Sequence, residues 1–169
     1  MNKIKNILFA VGIIAFTGLF FSLNISAQSG ASEQIQQARC SRITERIDTQ
    51  IESYNLTKDK YLNIYTSVGD AVSIRLDNLE NKGVDVALLR TDLQTLGSLN
   101  AEMGSSYDQF IAELTQAKEF GCGTSESEFA QQMQSARQQL LVVRQKALDV
   151  KEYIFNTLRP DLRNLKTTI

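Results

Sequence analysis

The sequence predicts an all-α fold, an elongated antiparallel three-helix bundle of coiled-coil character behind an N-terminal signal peptide. Three observations carry that prediction. Pro160 is the only proline in the 169 residues, so the chain lacks the punctuation that strands and tight turns need. Apolar residues recur at intervals of three and four, the helical period, rather than two. Two cysteines, Cys40 and Cys122, sit where a helical hairpin folded about Gly83 brings its ends together.

The first residues read as a targeting segment. Lys3 and Lys5 supply a positive start, and Ile7 to Phe21 is apolar apart from Gly12, Thr17 and Gly18. Ile25-Ser26-Ala27 then offers a small residue at the cut, after Ala27, and a tolerated aliphatic two places before it, the pattern of a secretory signal peptide over residues 1–27. The rival reading is a retained anchor, because the 19 residues from Ile7 to Ile25 are just long enough to span a bilayer. The expected location is therefore the cell envelope or exterior, with membrane attachment through residues 7–25 as the alternative.

Cleavage leaves residues 28–169, a length that suits one domain with a real core. Of the 18 basic residues 16 remain, against 19 acidic ones, a net charge of −3. Arg39, Arg42 and Arg46 have Glu45 and Asp48 among them, so they read as a solvated helix face and nucleic acid is not an expected partner. In an oxidising compartment Cys40 and Cys122 are expected to pair. By the chain-entropy argument, closing that loop destabilises the unfolded chain by about 4–5 kcal/mol.

The first helix is expected over 33–81. Ser32 is its cap, and its seam runs Ile47, Ile51, Tyr54, Tyr61, Tyr65, Val68, Val72, Leu76 and Leu79, with Lys58 holding one place. Asn55-Leu56-Thr57 marks a possible break, since Asn and Thr side chains divert backbone bonds. The same triplet matches a glycosylation sequon, a pattern that arises often by chance. Gly83 closes the helix as a left-handed residue.

The second helix is expected over 86–119, capped by Asp85 and ended by Gly121. Its seam is Val86, Leu89, Leu93, Leu96, Asn100, Met103, Tyr107, Phe110, Leu114 and Ala117. The third is expected over 126–158, opened by the capping box Ser125-Glu126-Ser127-Glu128, with Phe129, Met133, Ala136, Leu140, Val143, Ala147, Val150, Ile154 and Leu158 inward. Pro160 should kink or restart the chain into a short tail, 160–169, in which Leu162 and Leu165 remain apolar.

Short loops between long amphipathic helices make neighbours antiparallel. Reflection about the Lys82–Gly83 turn places residue n opposite roughly residue 165 − n. Cys40 then falls within three places of Cys122, Gly69 near Gly97, and Asn100 near Tyr65. The glycine pair suggests close backbone approach, and Asn100 suggests a buried polar bond that fixes register.

Histidine is absent, which removes Ser–His–Asp, Cys–His and most zinc chemistry. No Cys-x-x-Cys spacing and no phosphate-binding glycine loop occurs. Glu126 and Glu128 fall in a first helical turn, where negative charge suits the dipole. No catalytic residue, metal ligand or cofactor is therefore expected. Tyr54, Tyr61 and Tyr65, with Tyr107 facing them, form an aromatic stripe that reads as core or as a ligand or partner surface. Lys58 among them snorkels, or in the sharper reading is a buried, activated amine. The glutamines Gln131, Gln132, Gln134, Gln138, Gln139 and Gln145 make the third helix's polar face a candidate lateral contact.

Ala38-Arg39-Cys40, Gly83-Val84-Asp85, Asp92-Leu93, Cys122-Gly123-Thr124-Ser125-Glu126 and Leu158-Arg159-Pro160 resemble segments of short exported two-cysteine helical proteins of candidate-phylum bacteria. The resemblance covers most of the chain after residue 27. It implies a signal peptide and a two-cysteine bundle, and no activity. The functional expectation is a non-enzymatic module that meets a protein partner or a copy of itself. The alternatives are a helical ligand-binding domain with a tyrosine-lined pocket, or a membrane-anchored or membrane-active protein.

Overall fold

The computed structural model describes residues 33–122 and 126–168. Over that range the chain is a helical bundle: α1 (Glu33–Glu80), α2 (Ala87–Phe120), α3 (Glu126–Tyr153), a π-helical turn (Ile154–Leu158) and α4 (Arg159–Thr168). The signal segment, the Ser32 cap and the Ser125 cap lie outside the described residues.

At 1.5 Å per residue, α1 is about 72 Å long and α2 about 51 Å. α1 runs through Asn55-Leu56-Thr57 without a break. The Thr57 hydroxyl donates back to the Ser53 carbonyl at 2.8 Å, within the helix rather than against it.

The α1–α2 turn is a Schellman closure. Val84 N–H donates to the Leu79 carbonyl and Gly83 N–H to that of Glu80, at 3.1 and 2.9 Å. Gly83 takes φ +80°, the left-handed conformation that glycine adopts without steric cost. Asp85 then starts α2, its Oδ1 accepting the Ala87 N–H at 3.0 Å.

α2 is the keel. Close backbone contacts among the long helices join it to α1 on one side and to α3 on the other. Leu89, Leu96, Met103, Tyr107, Phe110 and Leu114, all from its predicted seam, are buried in one continuous core. α1 adds Ile47, Tyr65, Val72 and Leu76, and α3 adds Ala136, Leu140, Val143 and Val150.

Beyond Tyr153 the chain passes through the π-helical turn into α4. Arg159 N–H donates to the Ile154 carbonyl, five residues back, so the backbone widens by one residue per turn just before Pro160. Proline has no N–H and its ring crowds the carbonyl four residues earlier. The wider turn relieves that conflict, and Pro160 follows it directly as the second residue of α4. Leu162 and Leu165 of α4 pack back on the core.

Candidate functional site

The clamped end of the hairpin is built by close approach. Cys40 of α1 is disulfide-bonded to Cys122, just past α2, with Cα atoms 4.7 Å apart. Gly121 beside it has ordinary right-handed geometry, φ −63°, so conformational freedom is not its role. A Cβ there would lie 2.8 Å from Ile43 Cγ2, and the missing side chain lets α2 close on α1. The Thr44 hydroxyl lies 3.4 Å from Cys122 Sγ.

Along the hairpin, polar pairs hold the register. Lys118 Nζ donates to Asp48 Oδ1 at 2.6 Å and Lys58 Nζ to Asp108 Oδ1 at 2.8 Å. Asn100 Nδ2 donates to Thr66 Oγ1 at 3.2 Å and the Leu62 carbonyl at 3.4 Å. Lys58 thus spans α1 and α2 as an ion pair. Near the turn, Arg90 gathers Asp77, Glu80 and Ser73. Gly69 and Gly97 play no part in close approach, because a Cβ on either would meet open space. That role falls to Gly104, whose Cβ would touch both Leu62 methyls at 3.4 Å.

The tyrosine stripe folds into and around the core. Tyr107 is 1% exposed and Tyr65 is buried, whereas Tyr54 and Tyr61 are half-buried at the rim. Tyr54 meets Phe110 edge-on at 4.7 Å, and Tyr61 stacks on Tyr65 at 6.2 Å. Burial raises all four phenol pKa values above the usual range. Tyr107 is pushed up to about 12, by burial first and then by the neighbouring phenols of Tyr61, Tyr54 and Tyr65. The nearby charge of Arg144 partly offsets the rise at Tyr54. These groups are neutral hydroxyls at physiological pH, suited to packing and hydrogen bonding rather than to acid–base work.

A second polar feature had no signal in the sequence beyond its residue types. Asp92 of α2 is 5% exposed, yet carries a carboxylate. Its Oδ1 accepts the Tyr153 hydroxyl at 2.9 Å, and its Oδ2 is buried without a hydrogen bond. Burial raises the Tyr153 phenol pKa, and the bond to Asp92 raises it further, while Thr95 lowers it. Nearby, Val84, Val86, Leu88, Leu89 and Leu165 line a cleft of about 570 Å³ between the α1–α2 turn and α4, with Asp85, Asp161 and Asn164 also lining it. This cleft lies apart from the tyrosines.

Two of the six glutamines of the predicted polar face, Gln132 and Gln139, turn inward. Gln139 Nε2 donates to Gln109 Oε1 at 2.9 Å, and Gln132 Nε2 to Gln116 Oε1 at 2.8 Å and to Glu113 Oε2 at 2.6 Å. Gln131, Gln134, Gln138 and Gln145 are exposed, Gln145 holding Asp149 on its own helix at 2.8 Å.

Among the described residues no cluster of three His, Cys, Asp or Glu side chains is placed to hold a metal, and no helix is long and apolar enough to cross a membrane. Comparison with protein-family models, with curated proteins and with solved structures returned no match to this chain.

Proposed function

We propose that this chain is an exported, disulfide-clamped helical module that works by presenting a helical face to another protein, without catalysing a reaction. The observation that carries the reading is the exposed face of α3, where Leu141 and Leu148 stand 60% and 45% exposed one heptad apart. A helix that has already buried one seam against α2 has no internal need of a second apolar row. The leader-like first 27 residues and the Cys40–Cys122 bond support an oxidising location. Crosslinking in the native host, followed by mass spectrometry, tests the reading. Crosslinks from α3 to another polypeptide support it. A protein recovered from the cytosol, with the leader intact and no crosslinks, overturns it.

A second reading, a helical ligand-binding domain, draws support from the apolar cleft between Val84 and Leu165 rather than from the tyrosine stripe. Native mass spectrometry of the host-purified protein tests it. A co-purifying apolar small molecule, lost in Leu88→Glu, would favour it over the interaction reading.

A further inference from the structure

The cleft at the turn end of the bundle carries a negative charge that its own walls leave unanswered. Val84, Leu88, Leu89 and Leu165 give it an apolar lining, and its charged members are Asp85 and Asp161, with no lysine or arginine among the lining residues. Asp85 has a local task. Its Oδ1 accepts the Ala87 N–H, and its charge answers the positive end of the α2 dipole. Asp161 has no such task. It stands in the first turn of α4, yet the Arg159 N–H already donates to the Ile154 carbonyl, so the helix runs on from the π-helical turn and offers no open start to cap.

Among the described residues Asp161 makes no hydrogen bond or ion pair. Arg90, at the start of α2, is held by Asp77 and Glu80 of α1. Arg163 follows Asp161 by two residues, about 200° around the helix. More negative charge lies behind the wall. Asp92, one turn on from Leu89, is buried with its Oδ2 unbonded. The Tyr153 phenol pKa, raised first by burial, is raised further by the charges of both Asp92 and Asp161.

We infer that this cleft binds a small amphiphilic amine, with its apolar body against Val84, Leu88, Leu89 and Leu165 and its ammonium beside Asp161. This deepens the ligand-binding reading and rests on it. The volume of about 570 Å³ suits a molecule of at most about 20 non-hydrogen atoms, at roughly 30 Å³ each. Leu88 is 65% exposed, so covering it supplies an apolar driving force. A neutral or anionic amphiphile would cover Asp161 without pairing it, and burying an unpaired carboxylate opposes binding. An extended peptide finds no strand edge here. The walls are helices and a turn whose Gly83 and Val84 N–H groups are already bonded to α1 carbonyls.

Titration of the disulfide-bonded protein with phenylbutylammonium, phenylbutanol and phenylbutanoate at neutral pH, followed by amide chemical shifts, tests the inference. The ammonium should bind at least about threefold tighter than the alcohol, with the carboxylate weakest and the shifts centred on Leu88, Leu89 and Leu165. Asp161→Asn should remove most of that preference. Asp85→Asn keeps an oxygen for the Ala87 N–H and should remove less. Added salt should narrow the preference as well. Leu88→Ser should weaken the ammonium and the alcohol alike, with thermal melts of all variants matching the parent. An alcohol that binds as tightly as the ammonium overturns the amine assignment and leaves the ligand-binding reading standing. So does a preference that Asp161→Asn leaves unchanged. Failure of all three probes to bind at about 10 mM overturns both.

Discussion

Gln139 of α3 and Gln109 of α2 are joined amide to amide at 2.9 Å, and the pair is one rung of a ladder. One heptad toward the α3 N-terminus, Gln132 meets Gln116 at 2.8 Å, and one heptad the other way, Lys146 meets Glu102 at 2.7 Å. Tyr153 facing Thr95 continues the same spacing. Such flanking pairs leave the apolar seam undisturbed and still penalise any slip of α3 along α2.

Gln109→Ala and Gln139→Ala should each lower stability by about 0.5–1.5 kcal/mol, with a coupling of at least about 0.5 kcal/mol in the double variant. Urea titrations of the four proteins measure it. Additive losses would show that the rung contributes nothing as a pair.

The clamp should dominate the unfolded-state energetics. Cys40→Ser, or reduction of the parent, should remove up to about 4–5 kcal/mol while leaving the far-UV circular dichroism of the folded state nearly unchanged. Calorimetry with and without reductant reads the difference. An unchanged melting temperature would contradict the role of the bond.

Four glycines separate cleanly by geometry. Gly83→Ala forces a left-handed alanine and should cost about 1 kcal/mol. Gly121→Ala pushes a methyl into Ile43 Cγ2 and should weaken the clamped end. Gly69→Ala and Gly97→Ala meet open space inside helices and should each stabilise by about 0.5–1 kcal/mol. Thermal melts of the four variants check the order.

The buried phenols predict alkaline unfolding. Tyr107 titrates near 10 when unfolded and at about 12 when folded. A raised folded pKa means that the folded state holds its proton longer. The stability this gives is present below about pH 10 and is lost as pH rises toward 12. Tyr107→Phe should flatten that loss, as measured by denaturant midpoints against pH and by tyrosinate absorbance. A parent whose stability is level across the window would contradict the burial assigned to this hydroxyl.

At the other end, Tyr153→Phe would leave the buried Asp92 carboxylate without its hydroxyl donor and should cost about 1–3 kcal/mol. Asp92→Leu with Tyr153→Phe removes both partners and should recover part of that loss, as equilibrium unfolding would show.

Much of the hairpin was legible beforehand because helical period and one turn position fix which residues face each other. Reflection about the turn put Cys40 near Cys122 and Asn100 near its observed α1 partners, Leu62 and Thr66. What reflection lacks is rotation about each helix axis. It therefore named Gly69 and Gly97 for close approach, when the helices touch at Gly104 and Gly121. The Asp92–Tyr153 pair escaped notice because neither residue type marks a partner on another helix. The π-helical turn before Pro160 also escaped, since proline announces a conflict without saying how the backbone resolves it. The tyrosine stripe was located, but periodicity alone left open whether it formed a pocket or core.

The most direct test of the central claim is non-reducing peptide mapping of the protein isolated from its native host. A single species in which the Cys40 peptide is bonded to the Cys122 peptide is the predicted result. Free thiols at both positions, or a bond from either cysteine to another polypeptide, would contradict the clamped hairpin on which the account stands.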